Sequence, residues 1–142
     1  MIHYIHSIEL VPYHYLATHS TFSAEMREVY IEDTYFPWKE LTISGLAELE
    51  ESVEQSNGVN RFTLKMTATV PHCAFYRLPE ERLLWRLTDS HGTEWLLGAP
   101  RREFLPHSVL TRALPGKSSD TSAMTLTVSL TSTLPLLQIV YI

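Results

Sequence analysis

Asp89 stands two residues before His91 in the stretch LTDSHGTEWLLGAP, residues 87–100, with Trp95 close behind. A carboxylate and an imidazole at that spacing come nearer to an acid–base pair than anything else in the chain. Such a pair works when both groups converge on one substrate and a third group orients them. Here both fall in a short link between two apolar runs, LLWRL and TEWLLG. Aspartate opens tight turns by accepting hydrogen bonds from nearby backbone, and Gly92 supplies a positive φ. A turn accounts for all of DSHG, whereas catalysis accounts for only Asp89 and His91. The spacing predicts a hairpin bend, and with it no enzyme.

The other reactive types give no stronger constellation. His3, His6, His14 and His19 invite a metal reading, but zinc needs three or four donors on one centre. On an extended strand His3 and His6 point to opposite faces, and so do His14 and His19. LPGKSS holds Gly116-Lys117-Ser118, the tail of a phosphate loop, but Thr111 stands where that loop needs its first glycine. Lys117 and Asp120 read as solvated loop charges. His72 adjoins Cys73, yet neighbours on a strand face apart, so the thiol reads as a small buried hydrophobe. No G-x-S-x-G elbow is present. No cofactor and no metal site is expected.

Aromatic residues are the remaining candidates. YFPWKEL gathers Tyr35, Phe36 and Trp38 around Pro37, and with Trp85 and Trp95 they would be able to line a ligand groove. Packing in the core and at turns is the reading preferred here, because large aromatics dominate core energetics. The ending LPLLQIVYI has no polar tail, which makes Ile139 and Tyr141 candidates for an exposed edge strand that recruits another chain.

The elements that must position these residues read mostly as strands. In FTLKMTATV, Phe62, Leu64, Met66, Ala68 and Val70 alternate with Thr63, Lys65, Thr67 and Thr69, the period-two pattern of a half-buried strand. MTLTVSL repeats it with Met124, Leu126, Val128 and Leu130 inward. LLWRLT presents Leu83, Trp85 and Leu87 on one face. The N-terminus alternates less cleanly through Ile2, Tyr4, Ile8 and Leu10. EWLLG and LLQIVYI are apolar on both faces, as buried or interface strands are. Asn57-Gly58 is a strong hairpin signal, since a type I′ turn needs two positive φ angles. Two stretches stay open between helix and strand. In 21–32, Phe22, Met26, Val29 and Tyr30 have helical spacing, while Val29 and Ile31 alternate. In 45–55, Leu46, Leu49 and Val53 make a helical stripe, while the adjacent Asn-Gly turn favours a hairpin arm. Short strands joined by turns predict a mainly β fold, an antiparallel sandwich or barrel with at most one or two short helices, in a single domain over 1–142.

Composition sets the outer bounds. The chain has 142 residues, 44% hydrophobic and 19% charged, which suits one packed domain. Sixteen Asp and Glu against eleven Lys and Arg give a net charge of -5, and the densest basic spot is Arg101-Arg102. Tight nucleic-acid binding needs clustered cations and is not expected. No apolar run reaches the roughly 18 residues of a membrane span, so no membrane partner is expected. MIHYIHSIEL lacks the basic region and cleavage site of a signal peptide, which places the chain in the cytoplasm at first. A lone Cys73 suits a reducing compartment.

The order of features resembles small structural β proteins of phages and prophages, of the tail-tube and tail-associated kind. The run that carries the likeness is an N-terminal strand, YFPWKELTISG, ELEESVEQSNG, RFTLKMTATV, LWRLTDSHGTEWLLGAP, PGKSSDTSA and MTLTVSLTS. LTDSHG followed by WLLG is its most specific part. This resemblance implies a non-enzymatic, self-assembling subunit of a virion, with further copies of itself or other virion proteins as partners. It would be cytoplasmic before assembly and in the virion afterwards. The competing expectation is a small ligand- or carbohydrate-binding β-module that uses Trp38, Trp85 and Trp95.

Overall fold

In a computed structural model the described residues are 2–32, 38–71, 82–113 and 123–142. Tyr35, Phe36, His72, Cys73, Lys117 and Asp120, considered above from the sequence, lie outside them. Eleven strands dominate: β1 Ile2–Pro12, β2 Ser20–Ser23, β3 Glu28–Ile31, β4 Lys39–Leu41, β5 Ala47–Ser56, β6 Val59–Pro71, β7 Leu83–Asp89, β8 Glu94–Leu97, β9 His107–Ala113, β10 Ala123–Ser132 and β11 Leu137–Tyr141. One five-residue helix, α1 Tyr13–Ala17, and a 3-10 turn at Arg102–Phe104 complete the described elements. The mainly β expectation holds. Both open stretches are strands: 21–32 holds β2, a turn and β3, and 45–55 holds the first arm of the β5–β6 hairpin.

All eleven strands join one open sheet in the order β2-β3-β11-β8-β7-β1-β5-β6-β10-β9, with β4 added on β1. Every pairing is antiparallel except β11 with β3. The alternation in β6 and β10 sets their register, with Leu126 opposite Ala68 and Val128 opposite Met66. Thr125, Thr127 and Thr131 then face Thr69, Thr67 and Thr63 on the outer side. The Asn57-Gly58 turn has φ of 54° and 78°, as its type requires.

Two apolar cores form on opposite faces of the central strands. Leu83, Trp85 and Leu87 of β7 and Leu97 of β8 enter the first core, with Leu49, Leu64, Met66, Leu126 and Val128. Leu84 and Leu96 enter the second, with Val11, Leu16, Val29, Ile31 and Ile139. β7 and β8 are therefore covered on both sides, which explains why LLW and WLL show no polar face.

Two expectations are corrected. Ile2 and Tyr4 are about half exposed, while Ile5, Ile8 and Leu10 are buried. The cause is a bulge. Ile5 pairs with Asp89 and Ser7 with Thr88, so His6 is the extra residue and the inward parity changes there. β11 is not an edge strand either, since it pairs with β8 on one side and β3 on the other. Its apolar character fills the second core, which Leu137 and Ile139 enter.

Candidate functional site

Asp89 ends β7 and is 4% exposed. One carboxylate oxygen accepts the backbone N–H groups of His91, at 2.9 Å, and Thr93, at 3.0 Å. The other accepts the Trp95 indole N–H at 3.1 Å. Gly92, with φ of 83°, closes the turn. Burial works against ionising this carboxyl, but the Trp95 bond and the two amides outweigh it and hold its pKa below the ordinary value. The charge is spent on three N–H groups of its own turn. His91 meets Asp89 through its backbone amide, as the hairpin bend expected from DSHG requires.

The histidines do not converge. His3 packs on Trp95 with ring centroids 5.1 Å apart, His14 stacks on Tyr15 at 4.5 Å, and His19 lies 3.5 Å from Glu32. Among the described residues no group of three or more His, Cys, Asp or Glu is placed to hold a metal ion.

Nor do the three tryptophans make one groove. Trp85 is fully buried in the first core, and its indole N–H has no hydrogen-bond partner among the described residues. Trp95 packs against the first core and Trp38 against the second, on opposite sides of the central strands. Burial at 0% and 7% exposed takes Trp85 and Ile139 out of the candidate ligand or interface residues, and for Trp85 it agrees with the preferred core packing. The period-two rule put Trp85 inward with Leu83 and Leu87, and the core accepts all three.

Trp38 and Tyr141 do come together, around a residue the sequence reading passed over. Arg86 lies on the β7 face that carries Leu84, at the rim of the second core. Its guanidinium is paired with the Glu9 carboxylate through both Nε and Nη2, donates to the Tyr141 hydroxyl at 2.7 Å, and sits 4.4 Å from the centre of the Trp38 ring. Tyr141 in turn donates to Glu94 at 2.6 Å. Glu9 and Arg86 are direct cross-strand partners. Burial works against the guanidinium's charge, but its bonds to Glu9 and Tyr141 raise its pKa overall. Burial and the Glu94 bond push Tyr141 up to about 12, against the pull of Arg86. This network joins β1, β7, β8 and β11 and satisfies itself internally. Its signal in the sequence was a single arginine inside the otherwise apolar LLWRL.

The feature that faces outward is the far end of the β5–β6 hairpin. β1 pairs with β5 only over Ala47–Glu50, and β10 reaches β6 only as far as Phe62. Among the described residues, the two arms pair solely with each other from Ser52 to Arg61, and every residue there is exposed. Val53 and Val59 are 59% and 52% exposed. The base of this ribbon is fixed. Glu51 accepts the Leu136 backbone N–H at 2.8 Å and lies 3.7 Å from Arg27, whose guanidinium covers the Phe62 ring at 5.5 Å. Beyond the base, Glu54, Ser56, Asn57, Val59 and Arg61 border an open concavity of about 510 Å³. The opposite end of the sheet offers a second free edge, since β9 pairs with β10 alone among the described strands. No family model, curated protein or solved structure matches this chain. Among the described residues no helix is long and apolar enough to cross a membrane.

Proposed function

We propose that this protein is a non-enzymatic structural subunit that associates with copies of itself, of the phage and prophage tail-associated kind its feature order resembles. One observation carries the reading. A ribbon of ten residues, Ser52–Arg61, stands clear of both cores on a clamped base, with both outer strand edges unpaired among the described residues. An isolated two-stranded ribbon is marginal in water, and bare edges are templates for pairing with another chain. A monomer gains nothing from keeping valines on such a ribbon, whereas an assembling subunit buries them. The pinned carboxylate of Asp89 and the internally satisfied Arg86 network agree with a protein whose polar residues serve its architecture.

Static and dynamic light scattering over a concentration series tests the reading. Mass that grows with concentration towards rings or filaments is the expected result. A constant monomer mass up to high concentration contradicts it.

A further inference from the structure

Resting on that reading of self-association, we infer that the β5 edge of the ribbon in one copy adds to the free edge of β9 in the next. The contact is head-to-tail and uses two different surfaces of the same chain. Three features of the molecule support this pairing over ribbon against ribbon.

The first is charge. The free part of the β5 edge, Ser52–Ser56, carries Glu54 and no basic residue. β9, HSVLTRA, carries no acidic residue. Two β5 edges side by side repel each other, while β5 beside β9 does not.

The second is the alternation of faces. Val53 lies across from Phe62, on the face that carries Leu49 and Met66 into the first core. Leu110 lies across from Leu126 and packs against that same core, leaving it only partly buried. An antiparallel alignment with Val53 beside Leu110 continues the apolar face from one copy to the next. It also sets Glu54 beside Val109, Ser52 beside Thr111 and Ser56 beside His107 on the polar face. A slip of one residue turns Val53 to the polar side, so the register is specified.

The third is availability. Among the described residues the outer edge of β5 is free over five residues, Ser52–Ser56, and that of β9 over seven, His107–Ala113. Both exceed the shorter strand pairings already present, β11 with β8 over two residues and β1 with β4 over three. Because donor and acceptor differ, the contact does not use itself up in a dimer. Each copy keeps one free ribbon or one free β9 edge, so assembly proceeds to a ring or an open filament.

Disulfide trapping distinguishes the arrangements. In a Cys73→Ser background, Glu54→Cys and Val109→Cys chains, both altered at exposed positions, are mixed in equal amounts and oxidised. Circular dichroism checks that each variant keeps the parent spectrum. Light scattering on the unaltered chain runs in parallel. The expected result is a mixed 54–109 disulfide well above its share by random encounter, with both like-with-like products suppressed. Predominance of 54–54 or 109–109 dimers overturns the head-to-tail pairing. So does oligomer in scattering with no enrichment of any disulfide, a result that leaves self-association standing by another surface. A strictly monomeric chain in scattering removes self-association itself and this pairing with it.

Discussion

Asp89 ends an apolar strand at the point where the chain must reverse, and its carboxylate takes three N–H groups that the turn leaves over. Removing the acceptor leaves buried donors without partners, a loss of about 1–3 kcal/mol for each fully desolvated group. Asp89→Ala is therefore expected to cost about 2–4 kcal/mol in chemical denaturation, since the two amides regain part of their solvation. The pH dependence has a defined sign. The folded pKa lies below the ordinary 3.8, so this stabilisation is whole above that value and fades as pH falls through the folded pKa. Thermal melting of the parent and Asp89→Asn should differ near neutral pH and converge in acid. A gap that stays constant down to strong acid contradicts this role. Tyr141 shows the opposite sign. Its pKa is raised to about 12, above the ordinary 10.0, so its contribution is present below 10.0 and is lost as pH rises through about 12. An ultraviolet phenol titration of the parent minus Tyr141→Phe should isolate this late-titrating group. A missing phenol that titrates near the ordinary value removes the Glu94–Tyr141–Arg86 network as described. Arg86→Met leaves Glu9 without its cation, and the side chains of that pair are 14% and 22% exposed. Loss of one partner of so buried a pair is expected to cost about 3 kcal/mol.

At the scale of elements, the β7–β8 hairpin is the wall between the two cores, and its exit is the tightest joint in the chain. Gly98 has φ of 101°, and a Cβ there would stand 2.7 Å from the Phe104 carbonyl oxygen and 2.9 Å from Leu84 Cδ2. Backbone cannot yield to such a contact, so Gly98→Ala is expected to destabilise by about 2–4 kcal/mol, read from the denaturant midpoint. A midpoint within experimental error of the parent contradicts that packing. Much of this level was legible beforehand. The alternation in β6 and β10, the Asn57-Gly58 turn and the DSHG turn each act within a few residues, where side-chain period and φ preference decide the outcome. The misses have longer-range causes. Only the pairing of Ile5 and Ser7 with β7 reveals the bulge at His6. Only β3, brought alongside from a distant part of the chain, turns β11 from an edge into an interior strand. The cluster of Trp38, Glu9, Arg86, Glu94 and Tyr141 likewise draws on five separate places in the sequence, so no local spacing announces it. Trp85 was singled out for its size, and its size is why the core holds it.

Over the whole molecule, among the described strands the sheet ends on one side in β9 and carries the β5–β6 ribbon beyond its paired region. The same segment that contributes nothing to the cores is thus assigned the work of joining copies. Shortening it separates folding from association. A chain in which Glu54 is joined to Arg61 through Asn-Gly, replacing 55–60, keeps the clamped base at Glu51 and Phe62. Its monomer should unfold within about 1 kcal/mol of the parent, because surface positions away from packing contribute little. Sedimentation velocity over a concentration series, run on the parent and on this shortened chain, then decides the matter. Self-association in the parent and markedly weaker association in the shortened chain, which keeps only Ser52, Val53 and Glu54 of the five-residue edge, is the predicted outcome. Equal association in both, or none in the parent, contradicts the role given to Ser52–Arg61.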